Sequence, residues 1–428
     1  MRIRDPIHGS LTVSDEETRI IDSRTFQRLR HVRQLGFGDL AFPGATHTRH
    51  AHSLGAMNVA SRLFDATTAR SDLSAPARER LRAAVRLAVL CHDIGHMPLS
   101  HASESIAPLR SKLRLPSWMP SAENEQASHE DYTAMLLVDS ELTRIIESAY
   151  GSLDISPALV ASLVTGILPP GVRGFMEGGI DWTPVLRAIV SGELDADRMD
   201  YLLRDSFYTG VNYGRYDLEW ILQNLSAVER DGKAVLALSK AAVFAFEDFL
   251  LSRYHMFLSV YFHHTSVSFD WMLKRYYEEA PGEFEIPADP EAFLECDDMA
   301  LHLTLRRSKN RWAQRIAQRR GFKRVAQFTE RDDAYDLAEL SKALDQAGVE
   351  HFTLESRGVL SKYFDEGENP SLFVVDRSNG RLTEIAKYTP LYQQFAGAVR
   401  LSRIYVRPDQ NAEGRAVVMR LTGGPHDE

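Results

Sequence analysis

Leu90-Cys91-His92-Asp93-Ile94-Gly95-His96-Met97-Pro98-Leu99-Ser100-His101 places three histidines and a carboxylate within ten residues. It closes the run 81–90, where leucine, alanine and valine recur at three- and four-residue spacing, the period of a helix face. Gly95 and Pro98 break that helix, so the polar cluster falls where the chain turns. Imidazole beside carboxylate at a buried helix end suits a divalent cation, which accepts both ligand types. A His-Asp dipeptide alone carries little weight: the chain has 15 histidines and repeats the pair at His426-Asp427 in a polar tail. Partner residues elsewhere decide the reading.

Partners stand on both sides. Upstream, Phe42-Pro43-Gly44-Ala45-Thr46-His47-Thr48-Arg49-His50-Ala51-His52-Ser53-Leu54-Gly55 leads into a helical stretch. Downstream lies Gly192-Glu193-Leu194-Asp195-Ala196-Asp197-Arg198-Met199-Asp200-Tyr201-Leu202-Leu203-Arg204-Asp205. The ordered set His…His-Asp…Asp, each member on its own expected helix, resembles the metal arrangement of the HD phosphohydrolases. Asp5-Pro6-Ile7-His8-Gly9, Phe26-Gln27-Arg28-Leu29-Arg30 and Gln34-Leu35-Gly36 narrow the resemblance. With them the chain is similar to the HD-domain deoxynucleoside triphosphate triphosphohydrolases (dNTPases), the bacterial ones and the vertebrate one that adds a sterile-alpha-motif domain. The match is dense to about residue 270 and sparse beyond.

A chain of 428 residues, 44% hydrophobic and 25% charged, has the composition of an ordinary globular protein of two or more domains. A net charge of −9 argues against a globally basic nucleic-acid binder. Cys91 and Cys296 are the only cysteines, which excludes a disulfide framework and a cysteine zinc site and fits a cytoplasmic location. No apolar run approaches the ~18 residues of a membrane-crossing helix. Met1-Arg2-Ile3-Arg4 runs straight into a family motif, so no signal peptide and no membrane partner are expected.

The expected fold class is mainly α: an all-helical HD-domain catalytic core at 1–280 and a smaller α+β regulatory or oligomerisation part at 281–428. Residues 11–13 read as extended, and Ser14 with Glu17 reads as a capping box opening a helix over 14–35. Further helices are expected at 53–67, 76–91, 129–142, 156–165, 182–191, 197–207 and 242–277, with a strand at 235–238. The irregular stretch 102–128 reads as a lid or a surface loop. The basic segment 305–324 reads as a solvated face or a phosphate or nucleic-acid contact. Strands are expected at 371–376 and 402–407 around a helix at 391–398.

The resemblance implies roles for individual residues. His52, His92, Asp93 and Asp197 become metal ligands. Two imidazoles and two carboxylates do not choose between Mn, Fe, Mg, Zn and Ni. Asp195 and Asp200 then serve as a helix cap and as support behind the ligands. His101, held by Glu104, works at the scissile bond, and His96 and His129 position phosphates. Arg49, Arg198 and Arg253 stand where the family places cations, Arg198 replacing a lysine of the vertebrate relative. Gln34, with Leu35 beside it, and Asp205 match residues that bind the sugar 3′-hydroxyl. Tyr201 packs on the sugar where a 2′-hydroxyl would clash, and Tyr261 and His263 line the base side. Phe257 departs from the pattern, being a histidine in the vertebrate relative.

The function so implied is hydrolysis of dNTPs to deoxynucleoside and inorganic triphosphate. Two alternatives are an HD phosphohydrolase or phosphodiesterase acting on another nucleotide, and a silent nucleotide- or nucleic-acid-binding protein. Asp22, Phe26, Gln27 and Arg30 match residues that bind an activating guanine nucleotide between subunits. The four-residue repeat Asp22, Phe26, Arg30 puts these three on one helix face. GTP or dGTP activation of a homo-oligomer, a tetramer by the resemblance, is the regulatory expectation, with nucleic-acid binding secondary.

Overall fold

The protein is described from a computed structural model, which covers residues 1–120, 122, 124–329, 337–359, 372–395 and 398–423. Ser371, residues 396–397 and the His426-Asp427 pair lie outside these. The fold is mainly helical with small sheets, as its sequence pattern implies. Its centre is the helix Arg49–Thr68, which packs against Ala75–Cys91 and Ala196–Thr209. Met57, Leu63, Phe64, Leu87, Leu90, Met199 and Leu202 are fully buried between them. Serine caps set several starts: Ser74 before Ala75–Cys91, Ser128 before His129–Val138 and Ser156 before Pro157–Thr165. Asp195 caps Ala196–Thr209, accepting from the Arg198 amide at 2.8 Å, as expected of it.

Three long helices of the sequence reading are interrupted. The stretch 14–35 starts with the expected Ser14–Glu17 capping box but stops at Ile21, because Ser23 turns extended and caps a new short helix, Arg24–Gln27. Asp22, Phe26 and Arg30 therefore do not share one helix face. The stretch 242–277 divides into Val243–Met256, a π turn Phe257–Tyr261 and His264–Glu279. There His263 leaves the helical path and its ring accepts from the Thr265 amide at 3.3 Å. The helix from His129 ends at Val138, and Ser140 caps the next, Glu141–Tyr150.

The strand at 9–12 pairs with Arg2–Asp5 in an N-terminal hairpin. Lys233–Ser239 is the hub of a mixed sheet, antiparallel to Leu225–Arg230 and parallel to Phe373–Asp376. A strand from the C-terminal part thus completes a sheet of the core. Residues just beyond 280 also fold back: Phe293 stacks on Tyr132 at 4.2 Å, and Asp298 accepts from the Leu99 amide at 2.7 Å. A second sheet, antiparallel, orders Lys323–Thr329, Ala398–Val406 and His351–Val359. Helices Leu337–Gln346 and Asn411–Thr422 cover one side, and Phe352 stacks on Trp271 at 3.6 Å on the other. No described helix is long and apolar enough to cross a membrane.

Candidate active site

His52 lies in the first turn of Arg49–Thr68, His92 caps the end of Ala75–Cys91, and Asp197 sits in the first turn of Ala196–Thr209. The three helix ends meet. His52 Nδ1 faces Asp200 Oδ2 at 2.8 Å, and His92 Nδ1 faces the Val89 carbonyl at 2.6 Å. Each ring donates outward, so each turns Nε2 inward, and the two Nε2 atoms stand 3.4 Å apart. Asp197 Oδ1 lies 3.0 Å from His52 Nε2 and 3.6 Å from that of His92. Asp93 flanks them, with Oδ1 3.2 Å from His92 Nε2, while its Oδ2 pairs with Arg49 Nη1 at 2.6 Å.

Two inward lone pairs beside two carboxylates fit a divalent cation. The electrostatics agree. Burial alone would lower the His52 pKa, yet hydrogen bonds with Asp197 and Asp200 lift it to about 10. Burial would raise Asp197 and Asp93, but the facing histidines and Arg49 hold both well below the carboxylate range. His52, His92 and Asp197 can hold an ion together, each offering one ligand atom within 4.8 Å of the others.

A second cluster adjoins the first. Glu104 Oε1 receives His101 Nδ1 at 3.0 Å and His129 Nδ1 at 2.8 Å. His96 stacks on His129 at 4.0 Å and reaches Asp93 Oδ1 at 3.3 Å, joining the clusters. His101 stands at the mouth, its side chain two-thirds exposed, at 66%. Leu99 and Ser100, at φ of 55° and 57°, hold the strained backbone that turns the chain from one cluster to the other. Gly36 lies under this turn: at φ +49°, a Cβ there would stand 3.0 Å from the Leu99 carbonyl oxygen.

The residues that the resemblance matched to sugar recognition also converge. Asp205 is gripped by His47 Nε2 at 2.7 Å and by the Tyr261 hydroxyl, which donates at 3.0 Å. Tyr201 meets Tyr261 edge-on at 6.0 Å. The Gln34 backbone N–H donates to the His47 carbonyl, the side-chain Oε1 of Gln34 is buried with no partner, and Leu35 is half-buried beside it. Arg253 is buried over Phe257, with Nε and Nη1 lacking a partner. His263 packs edge-on against Phe42.

Other expected contacts are placed differently. Arg49 is engaged by Asp93 and by Ser100 Oγ, 2.8 Å from its Nε. Arg198 bonds the Gly192 carbonyl of its own helix start at 2.6 Å, with Glu193 and Asp195 at 3.5 Å. In the regulatory set Asp22 and Arg30 are exposed, but Phe26 is fully buried against His50. Gln27 bonds both Arg30 and the Ile21 carbonyl. Within 305–324, Arg311 pairs with Glu279 at 2.9 Å, and Arg319 donates to the Leu40 carbonyl. Arg311, Arg315, Arg320 and Arg407 line a pocket of about 300 Å³ that also carries Glu350 and Asp409.

Sequence reasoning assigned no role to His47, Asp5, His8 or Arg204. The Asp-Pro-Ile-His-Gly motif and the four-residue spacing of Asp200 and Arg204 were the visible signals.

Residues 49–204 match the HD domain family, and residues 216–360 match the HD associated region. The chain belongs to the HD-domain proteins. It is 32% identical over 359 residues to an uncharacterised protein of Methanocaldococcus jannaschii, covering 83% of this chain and 65% of that one. It is 33% identical over 275 residues to the uncharacterised protein YwfO of Bacillus subtilis, 64% of this chain and 54% of that one. The human deoxynucleoside triphosphate triphosphohydrolase SAMHD1 is 28% identical over 296 residues, 66% of this chain and 45% of that protein. The chain thus spans less than two thirds of the length of these curated relatives. A crystal structure of a hypothetical protein from Aquifex aeolicus superposes with a TM-score of 0.73 at 26% identity, over 98% of this chain and 99% of that one.

Proposed function

We propose that this chain hydrolyses dNTPs to deoxynucleoside and inorganic triphosphate at the His52, His92, Asp93 and Asp197 centre. The observation that carries the reading is the contiguity of three groups of residues. The donor set joins the Glu104 cluster through His96, and the same helix that brings Asp197 brings Tyr201 and Asp205. A divalent ion held there, Mn, Fe, Mg, Zn or Ni, would acidify a water and polarise the α-phosphoryl group. As the water oxygen bonds to the α-phosphorus, the bond from phosphorus to the 5′-oxygen breaks. His101 gives its proton to that leaving oxygen, and Glu104 holds the imidazole by Nδ1. His96 and His129 stand beside the phosphates, and the buried, unpartnered N–H groups of Arg253 supply charge for them. Tyr201, Asp205 and Gln34 take the deoxyribose, and Tyr261, Leu35 and His263 the base side.

The test is to incubate the metal-loaded chain with each dNTP and each NTP and to resolve the products. Deoxynucleoside with inorganic triphosphate is expected. A nucleoside monophosphate with pyrophosphate, or intact nucleotide, contradicts the reading.

On the same footing we assign a guanine-nucleotide activator to exposed Asp22 and Arg30 with Gln27, in a cytoplasmic homo-oligomer. Buried Phe26 then supports that site from beneath.

A further inference from the structure

We propose that the N-terminal hairpin completes the metal centre: Asp5 and His8 are positioning residues for the ligand His52, acting through Asp200. The inference rests on the metal reading of the site and not on its substrate. Asp200 is the hinge of the argument. Its Oδ2 faces His52 Nδ1 at 2.8 Å, and its Oδ1 faces His8 Nε2 at 2.6 Å. Arg204 grips both oxygens, Nε to Oδ2 at 2.8 Å and Nη2 to Oδ1 at 2.9 Å. The third arm of Arg204, Nη1, reaches Asp5 Oδ2 at 2.9 Å. Asp5 Oδ1 in turn accepts from the Ile7 and His8 amides, both at 2.9 Å, which folds the turn that presents His8. The ring of contacts is closed.

Its members are out of water: side-chain exposure is 3% for His8, 5% for Asp5 and zero for Asp200 and Arg204. The central helix is shaped around it. A Cβ at Gly55 would lie 2.0 Å from Arg204 Nη2 and 2.1 Å from Asp200 Oδ1, so that position leaves room only for hydrogen. A carboxylate behind a ligating imidazole fixes its tautomer and ring orientation and raises its basicity. Here the carboxylate is shared among His52, His8 and Arg204, so His8 sets both where Asp200 points and how much of its charge reaches His52.

The experiment titrates Co²⁺ into the metal-free full chain, following the dissociation constant and the visible absorption of the bound ion. His8→Ala and Asp5→Asn should weaken Co²⁺ binding on the order of 10- to 100-fold and alter the absorption bands. His8→Gln, which still offers a donor to Asp200, should fall between His8→Ala and the wild type. Ser10→Ala, at an exposed position of the same hairpin, should match the wild type. Wild-type Co²⁺ affinity and spectrum in His8→Ala and His8→Gln would overturn the proposal, even with lowered melting temperatures, since a merely structural role predicts that result. If His8→Ala does not fold, Asp5→Asn and His8→Gln carry the same test. Failure of the wild-type chain to bind Co²⁺ would overturn the metal reading and this inference together. No turnover is measured, so the substrate assignment stands or falls separately.

Discussion

Glu104 Oε1 lies 2.8 Å from His129 Nδ1, bridging 25 residues of sequence, and so ties the turn after the metal motif to the start of the next helix. The same oxygen holds His101, so one carboxylate orients two imidazoles at the edge of the metal centre. Burial would raise its pKa, but the hydrogen bonds from both histidines outweigh burial and hold it well below the usual range. A depressed folded-state pKa gives stability that is present above the unfolded value, about 4.3, and lost as pH falls through the folded one. Glu104 therefore stays ionised throughout and above the ordinary carboxylate range, and any acid limb of a pH–rate profile there belongs to other groups. Glu104→Gln should lower kcat roughly 100- to 10,000-fold while metal content is unchanged. Steady-state rates beside elemental analysis check both halves.

Under the proposed function, sugar choice would rest on the Tyr201, Tyr261 and Asp205 grouping. dATP should be cleaved faster than ATP by on the order of a hundredfold or more, since a clash or an unpaired polar group costs that much at a closed site. Tyr201→Ala should narrow the ratio by admitting the 2′-hydroxyl. Tyr261→Phe removes one of the two donors on Asp205 and should raise KM. Equal wild-type rates for dATP and ATP would rule this reading out.

Arg253 is buried with two unpartnered nitrogens, an arrangement a phosphate would relieve. Charge-assisted hydrogen bonds are worth about 1.5–3 kcal/mol, so Arg253→Ala should cost roughly ten- to hundredfold in kcat/KM. Arg198→Ala should act differently. Its bonds go to its own helix start, so it should lower the melting temperature more than it raises KM.

Regulation is tested by sedimentation and rate with added GTP or dGTP. A ligand that binds only the assembled form favours assembly by linkage. Guanine nucleotides should therefore promote a homo-oligomer and raise dNTP hydrolysis. Asp22→Ala should lose that response and keep its metal. No change in sedimentation or rate for the wild type would make these residues structural.

Two of the helices that carry ligands were legible because each joins apolar residues to a side-chain cap and has a polar motif at one end, Ser74 opening the helix that ends at His92 and Asp195 opening the one that starts with Asp197. The breaks were not. Ser23 and His263 stop helices by capping from inside apolar-periodic stretches, where periodicity gives no sign of a turn. Strand partnership was equally hidden, since Phe373 pairs with Ala237 across 136 residues, a distance no local pattern encodes. The same holds for His8 and Asp200, 192 residues apart. The contacts of Arg198 with the Gly192 carbonyl, Glu193 and Asp195 at its own helix start were likewise not legible from a matching position.

The most direct test of the central claim is metal content and dNTP turnover measured together on Asp197→Ala. Asp197 is half-buried at a helix start and its loss removes no core packing, so the variant should fold. It should retain no stoichiometric divalent ion by elemental analysis and should not release inorganic triphosphate from any dNTP. Wild-type turnover by an Asp197→Ala protein that holds no metal would contradict the account.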